Sequence, residues 1–169
     1  TYKNPEKYKE TYWSQYGDKI YFTSDGAFKD ENGLIRIVGR VDDVIKVAGH
    51  RICTGELEAA VNLHEEITES AVVGISDEIK GEVPVVFVVY KGKKPPEEVK
   101  NEVINLIRKQ IGPIALPKEV YLVEDLPKTR SGKIMRRVLK RLFTGEDLGD
   151  LSTLANPESV EHVKKVIGK

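Results

Sequence analysis

The sequence predicts an α+β fold: a small β-hairpin that belongs to one body, then a lobe in which helices pack on a three-stranded sheet. Three observations predict it. Strand-like and helix-like segments mix without the regular β-α-β alternation of a doubly wound sheet. Two Val- and Ile-rich runs, 69–76 and 83–90, are too short for helices and apolar on both faces, as central strands are. Two later segments, 97–111 and 133–143, space their apolar residues at helical intervals.

The elements follow in chain order. Residues 2–15 are polar and aromatic with no clean period. Runs 19–23 and 34–38 are β-like and are joined across Asp30-Glu31-Asn32-Gly33, a hairpin turn. Residues 41–51 read as a second, shorter pair of strands, broken by Ala48-Gly49. A helix is expected after Thr54 as N-cap, with Glu56 and Glu58 near its positive end. Leu57, Ala60, Val61 and His64 form its buried stripe. After the two central strands, the 97–111 helix carries Val99, Val103, Leu106, Ile107 and Ile111 on one side and stops at Gly112-Pro113. Residues 120–123 are the third strand. The basic 133–143 helix turns Ile134, Val138 and Leu142 inward and ends at Gly145. The tail restarts at Asn156-Pro157, a cap and first-turn pair, with Val160, Val163 and Ile167 available to pack.

Composition bounds the function. The 169 residues suffice for one ordinary domain with its own core. Lys plus Arg equals Asp plus Glu at 27 each, so no overall excess points to nucleic acid or membrane. The single cysteine, Cys53, cannot form an internal disulfide, which fits a reducing, cytoplasmic setting. The longest apolar run, 83–90, is far short of the ~20 residues of a membrane helix. The chain lacks an initiator methionine, and its first residues read like the middle of a longer protein.

Three segments carry chemistry. Thr23-Ser24-Asp25-Gly26 ends a strand with an acid beside a glycine; the carboxylate can bind a vicinal diol, or be a plain turn aspartate. In the second segment, 39–52, Arg40 and Arg51 flank the acids Asp42-Asp43 and the small corner Ala48-Gly49. Arginine forks match phosphate oxygens and glycine admits a ligand to the backbone, although a hairpin with surface ion pairs, or a metal at Asp42-Asp43, also fits. In the third, Leu126-Pro127-Lys128-Thr129-Arg130-Ser131-Gly132-Lys133-Ile134-Met135-Arg136-Arg137, a Pro- and Gly-containing turn presents one lysine ahead of a basic helix. It is not a Walker A loop, because the G-x-x-x-x-G-K-[ST] spacing is absent. Seven basic residues and no acid lie between 128 and 141, which also admits a solvated basic loop or nonspecific nucleic-acid binding. No aromatic residues are interleaved, which speaks against nucleic acid.

Together and in this order, T-S-D-G, G-R-V-D-D-V-I-K-V-A-G-H-R-I and L-P-K-T-R-S-G-K-I-M-R-R resemble the acyl-adenylate-forming superfamily of acyl-CoA synthetases, luciferases and peptide-synthetase adenylation domains. The likeness runs from about residue 12 to the tail. Gly49-His50-Arg51, Lys109-Gln110-Ile111-Gly112-Pro113-Ile114-Ala115 and Gly149-Asp150-Leu151-Ser152-Thr153-Leu154-Ala155 are similar to the AMP-forming acetyl-CoA synthetase subgroup.

The resemblance implies a two-step reaction: acetate attacks the α-phosphate of Mg-ATP, giving an acyl-adenylate and pyrophosphate, and CoA thiol then displaces AMP. It implies that 1–41 end a large N-terminal adenylate-forming domain, that 42–169 form a mobile C-terminal lobe, and that Asp42 is the hinge. Asp25 would hold the nucleotide ribose, assisted by Arg40. Lys133 would be the adenylation lysine, and its acetylation, by a protein acetyltransferase and reversed by a deacetylase, would switch that step off. Arg51 would meet the nucleotide phosphate or the CoA passage, Ala48 and Gly49 would line the pantetheine tunnel, and Arg108 would contact the CoA nucleotide. A structural cation of the subgroup would map to the backbone of Asn62 and Ile67 and to His64, which as residues alone read as core. His50 reads as structural and His162 as exposed. Ser24 stands where the family often has glycine, and Ile52-Cys53 replaces a more usual Leu-Gly. The partners implied are acetate, ATP, CoA and the N-terminal domain in cis. Propionate or another short acyl group, a carrier-loading adenylating domain, and a non-catalytic α+β module docking through its basic face are the alternatives. The chain alone is expected to be inactive.

Overall fold

The computed structural model describes residues 3–17, 19–41 and 43–168, and the chain divides into two compact units, Thr1–Asp42 and Asp43–Lys169. The hinge residue expected at Asp42 lies outside the described residues.

The first unit opens with helix α1, Pro5–Trp13, started by Pro5 at a first-turn position and by Asn4, whose side-chain oxygen accepts from Lys7 N at 3.0 Å. No α1 residue is buried, which is why its sequence shows no apolar period. Strands β1 (Asp25–Lys29) and β2 (Ile35–Arg40) pair antiparallel from Lys29↔Ile35 to Asp25↔Arg40. The strand expected at 19–23 is therefore six residues too early. Hairpin register counts outward from the turn, and Asp30 fixes that turn by accepting from Asn32 N at 2.9 Å and Leu34 N at 2.8 Å. Residue 22 instead bonds to α1 (Phe22 N to Tyr12 O, 2.9 Å), and Tyr21 stacks on Tyr12 at 4.9 Å.

The second unit holds a five-stranded sheet. β3 (Val44–Val47) and β4 (His50–Cys53) form a hairpin, followed by helix α2 (Thr54–Val61), β5 (Ile67–Asp77), β6 (Gly81–Tyr90), helix α3 (Pro96–Gln110), β7 (Glu119–Val123) and helices α4 (Arg136–Thr144) and α5 (Pro157–Ile167). The three strands foreseen from sequence are β5, β6 and β7. β5 pairs antiparallel along the length of β6; β7 lies parallel on its other edge, and the β3–β4 hairpin joins that edge at Val47↔Gly81. β6, α3 and β7 thus form one β-α-β crossover within an otherwise antiparallel sheet.

Both sheet faces are covered. Ala71, Val73, Val85 and Phe87 pack with Val138, Leu139 and Leu142 of α4 and Val160 and Val163 of α5. Val72, Val86 and Val88 point the other way, onto Leu57 and Val61 of α2 and Val103 and Ile107 of α3. Period-2 alternation sends successive apolar residues to opposite cores, so the buried stretches 71–73 and 83–89 carry apolar residues in succession. Each fully buried aliphatic side chain contributes ~1.5–3 kcal/mol of transfer free energy. α3 adds a charge pattern suited to its dipole, with Glu97 and Glu98 in the first turn and Arg108 and Lys109 in the last.

Two helix starts differ from expectation. Cys53, not Thr54, occupies the α2 cap position; Thr54 N bonds to Asp43 O at 3.0 Å, so one orphan amide is satisfied without a capping side chain. α4 begins at Arg136 and not at 133, because Ile134 pairs with Lys128 in a β-bridge and Met135 N bonds to Pro127 O at 2.8 Å. No helix among the described residues is long and apolar enough to cross a membrane.

Candidate active site

In the first unit the β1–β2 register sets Asp25 directly opposite Arg40. Asp25 is exposed, and its backbone N–H donates to Thr23 Oγ1 at 3.2 Å. Ser24, at the position where glycine was noted as commoner, has φ 65, the left-handed region in which glycine is at ease. The backbone bend there, and not side-chain chemistry, explains that preference.

In the second unit Ala48 (φ 47) and Gly49 (φ 84) make a two-residue hairpin turn with both central residues left-handed. The turn is held from behind: Ala48 N donates to Lys80 O at 2.7 Å, and Lys46 N to Glu82 Oε2 at 2.9 Å. Arg51 is exposed on β4 directly opposite exposed Lys46. Like charges facing each other across a ladder are unfavourable unless an anion lies between them. The register about the 48–49 turn is what brings Lys46 opposite Arg51.

Lys133 sits on a closed loop. Thr129 N donates to Lys133 O at 2.9 Å, Gly132 N to Thr129 O at 2.8 Å, and Lys133 N to Thr129 Oγ1 at 3.1 Å. Gly132 has φ +79 with nothing within 4 Å of a would-be Cβ, so conformation and not crowding requires glycine there. The Lys133 side chain is exposed, and no hydrogen bond or ion pair to a described residue engages its ammonium.

The base of the loop is bonded to its surroundings. Lys128 Nζ contacts Glu69 at 2.7 Å and Asp125 at 2.9 Å, and Asn156 Nδ2 donates to Asp125 Oδ2 at 2.6 Å. Burial alone would raise the Asp125 carboxyl; hydrogen bonds from Lys128, Asn156 and the Leu126 amide outweigh it and hold it below its ordinary value. A depressed acid contributes stability that is present above its unfolded pKa and lost as pH falls through the folded one. Asp125→Asn is therefore expected to flatten the loss of thermal stability between about pH 5 and pH 2, measured as the unfolding midpoint at each pH.

Beyond the loop, Arg136 lays its guanidinium on Glu58 of α2, Nε to Oε1 at 2.8 Å and Nη2 to Oε2 at 2.6 Å. Glu58 is 8 % exposed and also accepts from Val72 N at 2.9 Å. Asp43 lies 3.9 Å from Arg136 Nη1. Hydrogen bonding to Glu58 holds Arg136 above the ordinary arginine value against its desolvation. Sequence reading took Glu58 as a helix-dipole residue; its place beside Leu57 in the apolar stripe was the available sign of burial.

The remaining candidates scatter. Arg108 is exposed on the last turn of α3. Of the residues named for a cation, His64 is engaged elsewhere: its Nδ1 accepts from Glu66 N at 3.2 Å and its Nε2 lies 2.8 Å from Glu102. With one ring nitrogen accepting an amide and the other donating to a carboxylate, the imidazole has no lone pair for a metal. His64 also lies beyond the end of α2. It borders a groove of about 550 Å³ with Lys94, Glu102 and Lys109. His162 is half-buried and accepts from Glu124 N at 3.2 Å, where exposure was expected.

The AMP-binding enzyme C-terminal domain matches residues 56–133, which ends on the lysine of the closed loop. The acetyl-coenzyme A synthetase of Pyrobaculum arsenaticum is 53% identical over 163 residues, 96% of this chain and 24% of that protein. The chain carries the C-terminal domain of the AMP-binding enzymes. A second acetyl-coenzyme A synthetase of this family, from Methanothrix thermoacetophila, is 46% identical over 98% of the chain and 26% of that protein. The chain thus spans about a quarter of the length of these curated relatives. Among solved structures, the acetoacetyl-CoA synthetase from Streptomyces lividans shares the fold (TM-score 0.81, 23% identity, 98% of this chain and 25% of that chain). A Brucella canis acyl-CoA synthetase of the same fold is 36% identical over 72% of this chain and 22% of that one, with a TM-score of 0.57. The matched segment includes most of α2, both central strands, α3 and the Lys133 loop.

Proposed function

We propose that this chain supplies the adenylation lysine, the CoA-facing turn and the hinge of an AMP-forming acetate–CoA ligase. The observation that carries the reading is Lys133: a backbone closed on itself by Thr129, and an ammonium unengaged by described residues. It lies in a chain about half identical to proteins named acetyl-coenzyme A synthetase.

In the first step the acetate oxygen bonds to the α-phosphorus of ATP while the bond to the leaving pyrophosphate breaks. Negative charge gathers on the phosphate oxygens, and the Lys133 ammonium neutralises it. Asp25 accepts from the ribose hydroxyls with Arg40 beside it; their opposition across the β1–β2 ladder supports one shared ligand. In the second step the CoA sulfur attacks the acyl carbon and AMP leaves. Ala48 and Gly49 border the pantetheine passage, Arg51 meets phosphate, and Arg108 offers a fixed charge to the CoA nucleotide. Lobe 42–169, turning about Asp42 against a large domain that ends with 1–41, would exchange one set of groups for the other.

Magnesium enters with ATP as substrate; the described residues hold no group of three His, Cys, Asp or Glu suited to a resident metal. Acetylation of Lys133 by a protein acetyltransferase removes its charge, and a deacetylase restores it. The lone Cys53 supports a cytoplasmic setting.

The test is product identity. The complete enzyme containing this chain, given acetate, ATP and CoA, is expected to release AMP and pyrophosphate one-to-one with acetyl-CoA. Release of ADP and phosphate, or thioester formation without ATP, would sink the reading.

A further inference from the structure

We propose that Asn156 is a positioning residue for Lys133, holding the base of its loop through a polar clamp that closes from the C-terminal side. The proposal rests on the adenylation role of Lys133 given above.

Asn156 precedes Pro157 and occupies the cap position of α5, where an asparagine side chain ordinarily accepts from a first-turn amide. It makes no such bond. Its side chain turns back along the sequence: Oδ1 accepts from Lys128 N at 2.9 Å, and Nδ2 donates to Leu126 O at 2.8 Å and to Asp125 Oδ2 at 2.6 Å. The α5 start is served instead by Ser159, whose N and Oγ both donate to Asn156 O, at 3.1 and 2.7 Å. The amide thus fixes Asp125, Leu126 and Lys128, three of the four residues that lead into the lysine loop.

The residues before it continue the clamp. Ala155 N donates to Lys128 O at 2.8 Å, Leu154 pairs with Thr129 in a β-bridge, and Arg130 N donates to Thr153 O at 3.3 Å. Leu154 also packs on the core beside α4 and α5, which seats this edge. Thr129, held on this side by the bridge, is the residue that closes the Lys133 loop through its own amide and hydroxyl. The path from Asn156 to Lys133 therefore runs through Lys128 and Thr129 without a gap. By contrast the Ala48-Gly49 turn is held by Lys80 and Glu82, and neither bond involves the clamp. The clamp should matter to the step that uses Lys133 and not to the step that uses the turn.

The test compares both half-reactions in the complete enzyme: acetate-dependent ATP–pyrophosphate exchange, and thioester formation from supplied acetyl-adenylate and CoA. Asn156→Ala is expected to lower the exchange kcat ~10–100-fold, with KM for ATP and acetate within about two-fold and the thioester step unchanged. Ser159→Ala, which removes one bond to the Asn156 backbone carbonyl and leaves the three Asn156 side-chain bonds in place, leaves both steps at wild-type rates. Unchanged exchange in Asn156→Ala overturns the proposal, and so does an equal fall in both half-reactions. Thr129→Val, which removes only the hydroxyl that accepts from Lys133 N, carries the same thresholds should Asn156→Ala not fold. Lys133→Ala separates the two claims: if it keeps full exchange, the adenylation reading itself fails, whatever Asn156→Ala does.

Discussion

Lys133→Ala in the complete enzyme is expected to cut acetate-dependent ATP–pyrophosphate exchange by ~10²–10³-fold, the usual cost of deleting one charge-stabilising donor aimed at a transition state. The loop makes this a clean substitution. Lys133 is exposed, and the bonds that close the loop come from its backbone and from Thr129, so truncating the side chain leaves them in place. Stability should not move by more than a few tenths of a kcal/mol. Thioester formation from supplied acetyl-adenylate should proceed at the parent rate, because α-phosphate charge no longer builds in that step. Lys133→Gln, which mimics the acetylated side chain, should behave like the alanine variant. Equal losses in both half-reactions would argue that the lysine acts on the whole lobe and not on one step.

Arg136→Ala should be the most destabilising change in the same segment, lowering the unfolding midpoint by about 10 °C, from a loss of ~2–4 kcal/mol. The guanidinium makes two parallel bonds to Glu58, a residue only 8 % exposed whose remaining donor among the described residues is the Val72 amide. Removing the arginine leaves a buried charge without its counter-ion, costlier than losing the same pair on the surface. The figure is held below that of a fully buried pair because the Arg136 side chain keeps 31% of its exposure. Arg136→Lys should recover less than half, since an ammonium cannot reproduce the planar fork. Thermal unfolding by circular dichroism decides it; a midpoint within 2 °C of the parent for Arg136→Ala would show that the fork contributes little.

The sheet was legible because two-sided burial favours successive apolar residues, and the Val- and Ile-rich runs 69–76 and 83–90 supplied them. α3 was legible because Val99, Val103 and Ile107 recur at helical spacing and are all buried. α1 was not, because a helix that buries none of its residues leaves no period to detect. The first hairpin strand was misplaced because aromatic residues near 21 and 22 imitate strand composition while in fact packing on α1. For the site, the identity of Lys133 was carried by its motif, whereas its supports were not. Asn156 looked like an ordinary cap, and Glu58 like a dipole residue. Their partners are 28 and 78 positions away, and no local rule connects such residues before the sheet has brought them together.

The clamp at Asn156 also bears on how the protein is made. A ribosome releases the lysine loop well before it releases the residue that fastens it, so the nascent chain carries 126–134 unfastened until 153–156 emerge. Helices α2 and α3 and the whole sheet precede that point in the sequence. A polypeptide halted just short of 153 would therefore hold a complete sheet and an unset lysine.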